Sequence, residues 1–319
     1  MSAFPNKHEL FLEPELHQYG NHMIMTNVQK QSKFKYVNID SKFKDEFYEN
    51  VSSNKNADLS SNELSLSSFT ITLPERINEI KSICVTHAEI PMFFYNVSFN
   101  LGNSYFAITN SSSVTTVITV PDANYDAASL SSEINTQLAA ASISDVVFTV
   151  SSNAKTTLTT SSSSGYNIDF DVNSQGVKDQ YRFRSKLGYL LGFRKTSYTV
   201  NTSAVASVTS EQIVNLFSTK YLYLAVDEYN KSCPSSFLTP LSTSLINKSI
   251  LARISLNYKD YPFGTMFPVN KSDNLISDVR KYVGSVDLQK LNIKLLDENG
   301  NPVILNGGEY SFCLKVEHT

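Results

Sequence analysis

The chain has 319 residues, 41% hydrophobic and 18% charged, with a formal net charge of −3. The apolar share is enough for a real core, and the near-neutral balance excludes the global basic footprint of a nucleic-acid binder. Three cysteines, Cys84, Cys233 and Cys313, are odd in number and far apart, which argues against a disulfide framework and for folding in a reducing compartment.

Residues 1–32 are polar, and Pro5, Pro14 and Gly20 interrupt any period. They read as an arm that orders against a neighbour. The stretch MSAFPNKHEL has no basic segment followed by an apolar run, so no signal peptide is expected. No apolar run is long enough for a helix to span a bilayer. FKYVNID (34–40) predicts a short strand, and SSNKNADLSSNELS (52–65) an exposed loop. In SFTITLPE (68–75), Phe69, Ile71 and Leu73 alternate with Thr70 and Thr72, the period of a half-buried strand. After Pro74, INEIKSICVTHAEIP (77–91) predicts a further extended strand that Pro91 ends.

The middle of the chain changes character. YFAIT (105–109), VTTVITV (114–120), VVFTV (146–150), TTLTT (156–160) and YNIDFDV (166–172) read as strands. Between them, Leu130, Ile134 and Leu138 are spaced by four and Asp126 can cap, which predicts a short amphipathic helix. SKLGYLLGF (185–193) fits a buried turn of helix. Residues 93–215 therefore read as a separate unit of strands plus a helix.

Strand patterning resumes with KYLYLAVDEY (220–229) and KSILARISLNY (248–258), and YPFGTMFPV (261–269) reads as an aromatic connection, core and interface being equally good accounts of it. The last stretch carries Leu291, Ile293 and Leu295 on one face, and Tyr310, Phe312, Leu314 and Val316 on another. Asn299-Gly300 lies between them, a dipeptide suited to the positive φ angles of a tight turn, so the two strands are expected to form a hairpin. About eight strong strands outside the middle segment predict an all-β fold, a single jelly-roll β-sandwich of eight antiparallel strands with an inserted mixed β/α domain. The expected division is an arm at 1–32, jelly roll at 33–92 and 216–319, and the insert at 93–215.

Chemistry is sparse. No phosphate-binding glycine loop, nucleophile elbow, zinc-protease helix or paired-cysteine motif occurs. His8, His17 and His22 cluster, but loose polar histidines are the better account than a metal site. His87 reads as a core or interface histidine. DFDVN (169–173) opens like a calcium loop, yet Ser174 stands where glycine is needed and Gln180 where the bidentate glutamate belongs. Asp227-Glu228 and Asp297-Glu298 are adjacent carboxylates that would point to opposite faces of a strand, so solvated rim charge is expected. Lysines 30, 33, 35, 42 and 44 form a locally basic run broken by Asp40, Asp45 and Glu46, which favours a solvated face over a nucleic-acid contact. No catalytic, cofactor-binding or metal residue is assigned, and no enzyme is expected.

Three stretches carry a resemblance in order and spacing: LPERINEIKSICVTHAEIPMFFYNVS (73–98); VPDANYDAASLSSEINTQL (120–138) followed by KLGYLLGFRK (186–195); and ILARISLNY (250–258) followed by DVRKYVGSVDLQKLNIKLLDENGNPVILNGGEYSFCLKVEH (278–318). Together, over roughly 65–319, they resemble the minor capsid and penton proteins of large icosahedral double-stranded DNA viruses and virophages. The resemblance implies a jelly roll with an insert and a structural role in a virion shell, with no catalytic residues to carry over. It implies a homo-oligomer, a pentamer at five-fold vertices, beside the major capsid protein and other minor capsid proteins. The shell would be assembled in the host cytoplasm. The insert would project outward and could meet a host receptor. Rival expectations are a cement protein under the facets, or a host-attachment or carbohydrate-binding sandwich.

Overall fold

The computed structural model describes residues 14–19, 22–27, 32–44, 67–179, 183–217, 219–229 and 249–319. In chain order the strands are β1 (Pro14–Tyr19), β2 (His22–Asn27), β3 (Lys33–Asp40), β4 (Ser68–Pro91), β5 (Tyr105–Asn110) and β6 (Thr115–Thr119). Helix α1 (Ala127–Ala140) follows, then β7 (Val146–Val150), β8 (Lys155–Thr160), β9 (Tyr166–Asp169) and α2 (Leu187–Leu190). The chain closes with β10 (Ser197–Val200), β11 (Ser207–Ile213), β12 (Tyr221–Asp227), β13 (Ile250–Ser255), β14 (Met266–Asn270), β15 (Leu275–Ser277), β16 (Arg280–Leu296) and β17 (Ser311–His318).

Two long strands make the sandwich. The first half of β4 pairs with the second half of β16, Ser68 opposite Lys294 and Thr72 opposite Lys290. That half of β16 also pairs with β12, which pairs with β13 and then β15. The second half of β4 pairs with β17, β17 with β3, and β14 with the last five residues of β4. Counting the halves of β4 separately, one layer is β13-β12-β16-β4 and the other β3-β17-β4-β14. Every pairing is antiparallel, and of these eight strands all consecutive ones but β12 and β13 lie in opposite layers, which is the jelly-roll arrangement of a double Greek key. The second cored unit enters between β4 and β12.

Both long strands turn the corner between layers by breaking their ladder. The register slips between Val286 and Leu288 and again between Leu288 and Lys290. Glu79 has φ +53° and Gly284 φ +94°. Asp287 holds the corner by accepting the Glu79 backbone N–H at 3.1 Å and the Arg76 guanidinium. The backbone bond, reinforced by Arg76, keeps the Asp287 carboxyl below the usual range. Pro74 predicts a break in this strand; the structure carries it through from Ser68 to Pro91. Pro74 falls in the irregular stretch between Thr72 and Ile77, where a missing N–H interrupts no regular ladder.

The expected terminal hairpin is also corrected. The turn forms, with Gly300 at φ +81° and its N–H bonded to the Asp297 carbonyl at 3.0 Å. The return is brief: Pro302 bridges Leu296, and Val303 N–H reaches the Leu295 carbonyl at 3.0 Å. The chain then crosses to the other layer, so β17 pairs with β4 and β3 rather than with β16. Alternation reports which face of a strand is buried; it carries no information about which neighbour lies beside it.

Two apolar cores share no residue. The sandwich core draws on Ile39, on 69–94 and on 222–316, and includes Leu224, Phe267, Leu291, Ile293 and Phe312. The buried residues of the second core lie within 97–200, with half-buried Val208 and Leu216 packed against them. There, sheet β10-β9-β5-β6 and sheet β11-β8-β7 enclose a run of rings, with Phe170 5.1 Å from Phe193 and 5.8 Å from Phe106. Helix α1 packs as its spacing predicts, burying Leu130, Ile134 and Leu138 under a capping box of Asp126 and Ser129. Asn135 fixes it to β7 through paired 2.8 Å bonds with the Phe148 backbone. After α2, Gly192 has φ +94°, and a Cβ there would stand 2.1 Å from the Gln212 carbonyl oxygen. Only glycine lets this turn close onto β11.

YPFGTMFPV proves half connection and half strand. Phe267 and Val269 of β14 are buried in the sandwich, while Phe263 and Met266 are exposed. Pro268 is tolerated because, among the described residues, β14 pairs on one side only.

Candidate functional site

Among the described residues the polar side chains are largely engaged with one another. The calcium-like loop holds an ammonium: Lys178 Nζ lies 2.8 Å from Asp169 and 2.7 Å from Asp171. Buried Lys186 donates to Asp179 at 2.8 Å and to the Val172 carbonyl at 2.9 Å. Gln180 lies outside the described residues. Asp297 folds its carboxylate onto the N–H groups of Asn299 and Asn301, which makes it a turn residue. Glu298 accepts from the Lys220 backbone N–H at 3.4 Å.

Glu228 overturns the rim-charge expectation. Its side chain and that of Arg280 are each 2% exposed, with Nη1 2.8 Å from Oε2. Tyr282 donates to the other carboxylate oxygen at 2.6 Å. Arg280 also donates to the Val226 carbonyl at 2.8 Å and the Ser249 carbonyl at 2.7 Å, tying the end of β12 to the start of β13. Adjacent acids in the sequence carried no sign of this, because the partner arrives from 52 residues away.

In the second unit Tyr198 donates to Glu211 at 2.7 Å and accepts from the Arg194 and Lys195 backbone N–H groups. Burial, reinforced by Glu211, pushes the phenol up to about 12 from its ordinary 10.0. Burial alone would raise Glu211, but the Tyr198 hydroxyl and backbone donors outweigh it and hold its carboxyl low. A folded-state pKa above the unfolded one stabilises fully below the unfolded value, and that stability is lost as pH rises through the folded one. Thermal melts across pH 10.0 to about 12 are therefore expected to show stability falling with pH, less steeply in Tyr198→Phe. An equal slope in both proteins would refute this account of Tyr198.

His87 is exposed rather than a core residue, with Nδ1 3.0 Å from the Thr86 hydroxyl. His17 lies on β1 opposite Ile24 and His22 on β2 opposite Tyr19, and His8 lies outside the described residues. No three His, Cys, Asp or Glu side chains come together as metal ligands among the described residues. A cleft beside the junction of the two units, lined in part by Tyr95, Leu101 and Val303, has about 40 Å³ of room. That admits a few waters and not a drug-sized ligand. Among the described residues no helix is long and apolar enough to cross a membrane.

What the surface offers instead is contact area. Among the described residues strand β3 pairs only with β17 and forms one edge of the sandwich sheet. Phe34 is 54% and Tyr36 66% exposed on its outer face. Lys315 sits 4.0 Å over the Phe34 ring. Of the basic run, Lys35 pairs with Glu75 at 3.0 Å and Lys42 with Glu309 at 3.8 Å, as a solvated face would; Lys30 lies outside the described residues. A second feature is Phe263, exposed beside the junction with its ring stacked 5.5 Å from that of half-buried Tyr95.

The fold and these surfaces define a jelly-roll sandwich carrying a second cored unit. A solved structure with similarity to it is described as the crystal structure of SeMet-labeled mavirus penton protein, which is 12% identical over 91% of this chain and all of that one, with a TM-score of 0.42. No family model and no curated protein matches the chain.

Proposed function

We propose that this protein is a structural subunit of an icosahedral virion shell, the penton that closes the five-fold vertices. The observation that carries the reading is a sandwich packed solid with apolar side chains, its buried charges paired internally, with an open edge and a second cored unit left for contact. Jelly rolls serve viral capsid, lectin and metal-binding proteins; a filled interior leaves surface contact as the working feature. The order and spacing of the three stretches over roughly 65–319 support the capsid member of that set. At a vertex the contacts would be head-to-tail and close into a ring, each reinforced by the others. The division into arm 1–32, sandwich 33–92 and 216–319, and insert 93–215 belongs to the same proposal, with the insert facing outward and the major capsid protein as neighbour.

Reconstruction of purified particles by cryo-electron microscopy tests this. Five copies around each vertex are expected. Density under the facets would make this a cement protein, and absence from the shell would overturn the capsid reading. Exposed Phe263, backed by half-buried Tyr95, favours a second reading, a carbohydrate-binding surface, since a flat exposed ring can stack on a sugar face. Glycan-array binding abolished by Phe263→Ala would establish that reading.

A further inference from the structure

We infer that Cys84 and Lys271 close an oxidant-dependent covalent cross-link through one oxygen atom, a nitrogen–oxygen–sulfur bridge that ties β4 to the turn between β14 and β15. The Lys271 ammonium donates to the Cys84 sulfur at 3.4 Å, across 187 residues of chain. The fold sets both sides of this contact. Ile83 and Val85 belong to the sandwich core, so Cys84 between them faces away from it, and register places it opposite Lys315 of β17. Cys84 is nonetheless only 6% exposed. Strand β14 ends at Asn270, opposite His87. There the Asn270 side-chain oxygen accepts the Ser272 N–H at 3.1 Å and the Ser272 hydroxyl at 2.6 Å, and its carbonyl accepts from Asp273 at 3.3 Å. This braced turn holds Lys271 beside β4. Among the described residues Lys271 makes no ion pair with a carboxylate, so its amine is not already engaged. Cys313 gives the contrast: it is as buried, but its sulfur lies 3.8 Å from the Leu314 carbonyl oxygen rather than beside an amine.

Dioxygen is the oxidant. The Cys84 sulfur and the Lys271 nitrogen each give up two electrons, and one dioxygen molecule takes all four. One of its oxygen atoms becomes the bridge, through a new N–O and a new O–S bond. The other leaves as water, with the thiol hydrogen and one amine hydrogen, and the ammonium's extra proton passes to solvent. A dithiol reverses the step, as it reverses the early stages of thiol oxidation. The bridge holds nitrogen and sulfur somewhat closer than the observed contact, and the flexible lysine stem closes the difference. Joining residues so far apart in sequence restricts the unfolded chain as a disulfide would. The cysteine pattern predicts folding in a reducing compartment, where the pair stays open; an aerobic medium closes it. This device goes beyond the shell reading and does not rest on it.

Intact-mass spectrometry of the full-length protein, purified under dithiothreitol and then held in air-saturated buffer, tests this. The expected change is the gain of one oxygen with the loss of two hydrogens, reversed by dithiothreitol, and a peptide pair joined at Cys84 and Lys271. Cys84→Ser and Lys271→Met should each abolish the change, and Cys313→Ser should keep it. Lys271 is exposed, so its variant keeps the fold, which circular dichroism checks. The bridged protein should melt higher than the reduced one, a difference absent in Lys271→Met. An unchanged mass would overturn the inference. So would the gain of whole oxygen atoms without loss of hydrogen, which is ordinary thiol oxidation, or the loss of two hydrogens alone, which is a disulfide or a direct sulfur–nitrogen bond. A bridge that survives in Lys271→Met would also overturn it and assign the nitrogen to Lys315. None of these failures bears on the count of copies at a vertex, so the shell reading would stand or fall separately.

Discussion

Arg280→Met is expected to destabilise the protein by about 3–5 kcal/mol, the usual consequence of stripping one partner from a buried ion pair. The size follows from what stays behind. Among the described residues Glu228 keeps a single side-chain donor, the Tyr282 hydroxyl, for a carboxylate that is 2% exposed. The Val226 and Ser249 carbonyls lose their guanidinium donors as well. The double variant Arg280→Met with Glu228→Gln removes the stranded charge while leaving an acceptor for Tyr282. It should recover part of the loss, because an uncharged replacement no longer bears the desolvation of an unpaired ion. Urea unfolding of the three proteins at constant m-value measures this. A loss below about 1 kcal/mol in the single variant would mean that the pair behaves as a solvated surface bridge.

Phe170→Ala is the second large effect, about 3–5 kcal/mol, the range for truncating a buried phenylalanine. Phe170 is fully buried and touches the rings of Phe106, Phe193 and Tyr198. The effect should be local. The two cores have no buried residue in common, those of one lying within 97–200 and those of the other around it in sequence. Differential scanning calorimetry is therefore expected to resolve two transitions, of which Phe170→Ala moves one. A single transition moving as a whole would show that the two units unfold as one block.

Much of the architecture was legible because burial imposes a period. Alternating Phe312, Leu314 and Val316, or the four-residue spacing of Leu130, Ile134 and Leu138, records a one-sided environment directly. What escaped was relational. Pro74 looks like a strand end, because a chain of residues does not reveal that its neighbour's ladder slips at the same level. Pro268 hides a strand, since its tolerance depends on β14 having one partner only among the described residues. The Asn299-Gly300 turn was correct locally and misleading globally, because the chain leaves its layer a few residues later. Glu228 is the sharpest case: whether a carboxylate is solvated depended on an arginine far along the chain. The contact surfaces were hardest to see. The exposure of Phe34 and Tyr36 becomes meaningful once β3 is known to be an edge.

Strands β4 and β16 each run without interruption through both layers. In most sandwiches the layers adhere through side chains alone, and sideways load can make them slide. Here two covalent backbones pass round the same corner, laced together on either side of it and clasped at Asp287. A push on one layer is carried to the other by tension in the main chain, which stretches far less readily than a packed interface shears. The body behaves mechanically as a folded sheet with a reinforced crease.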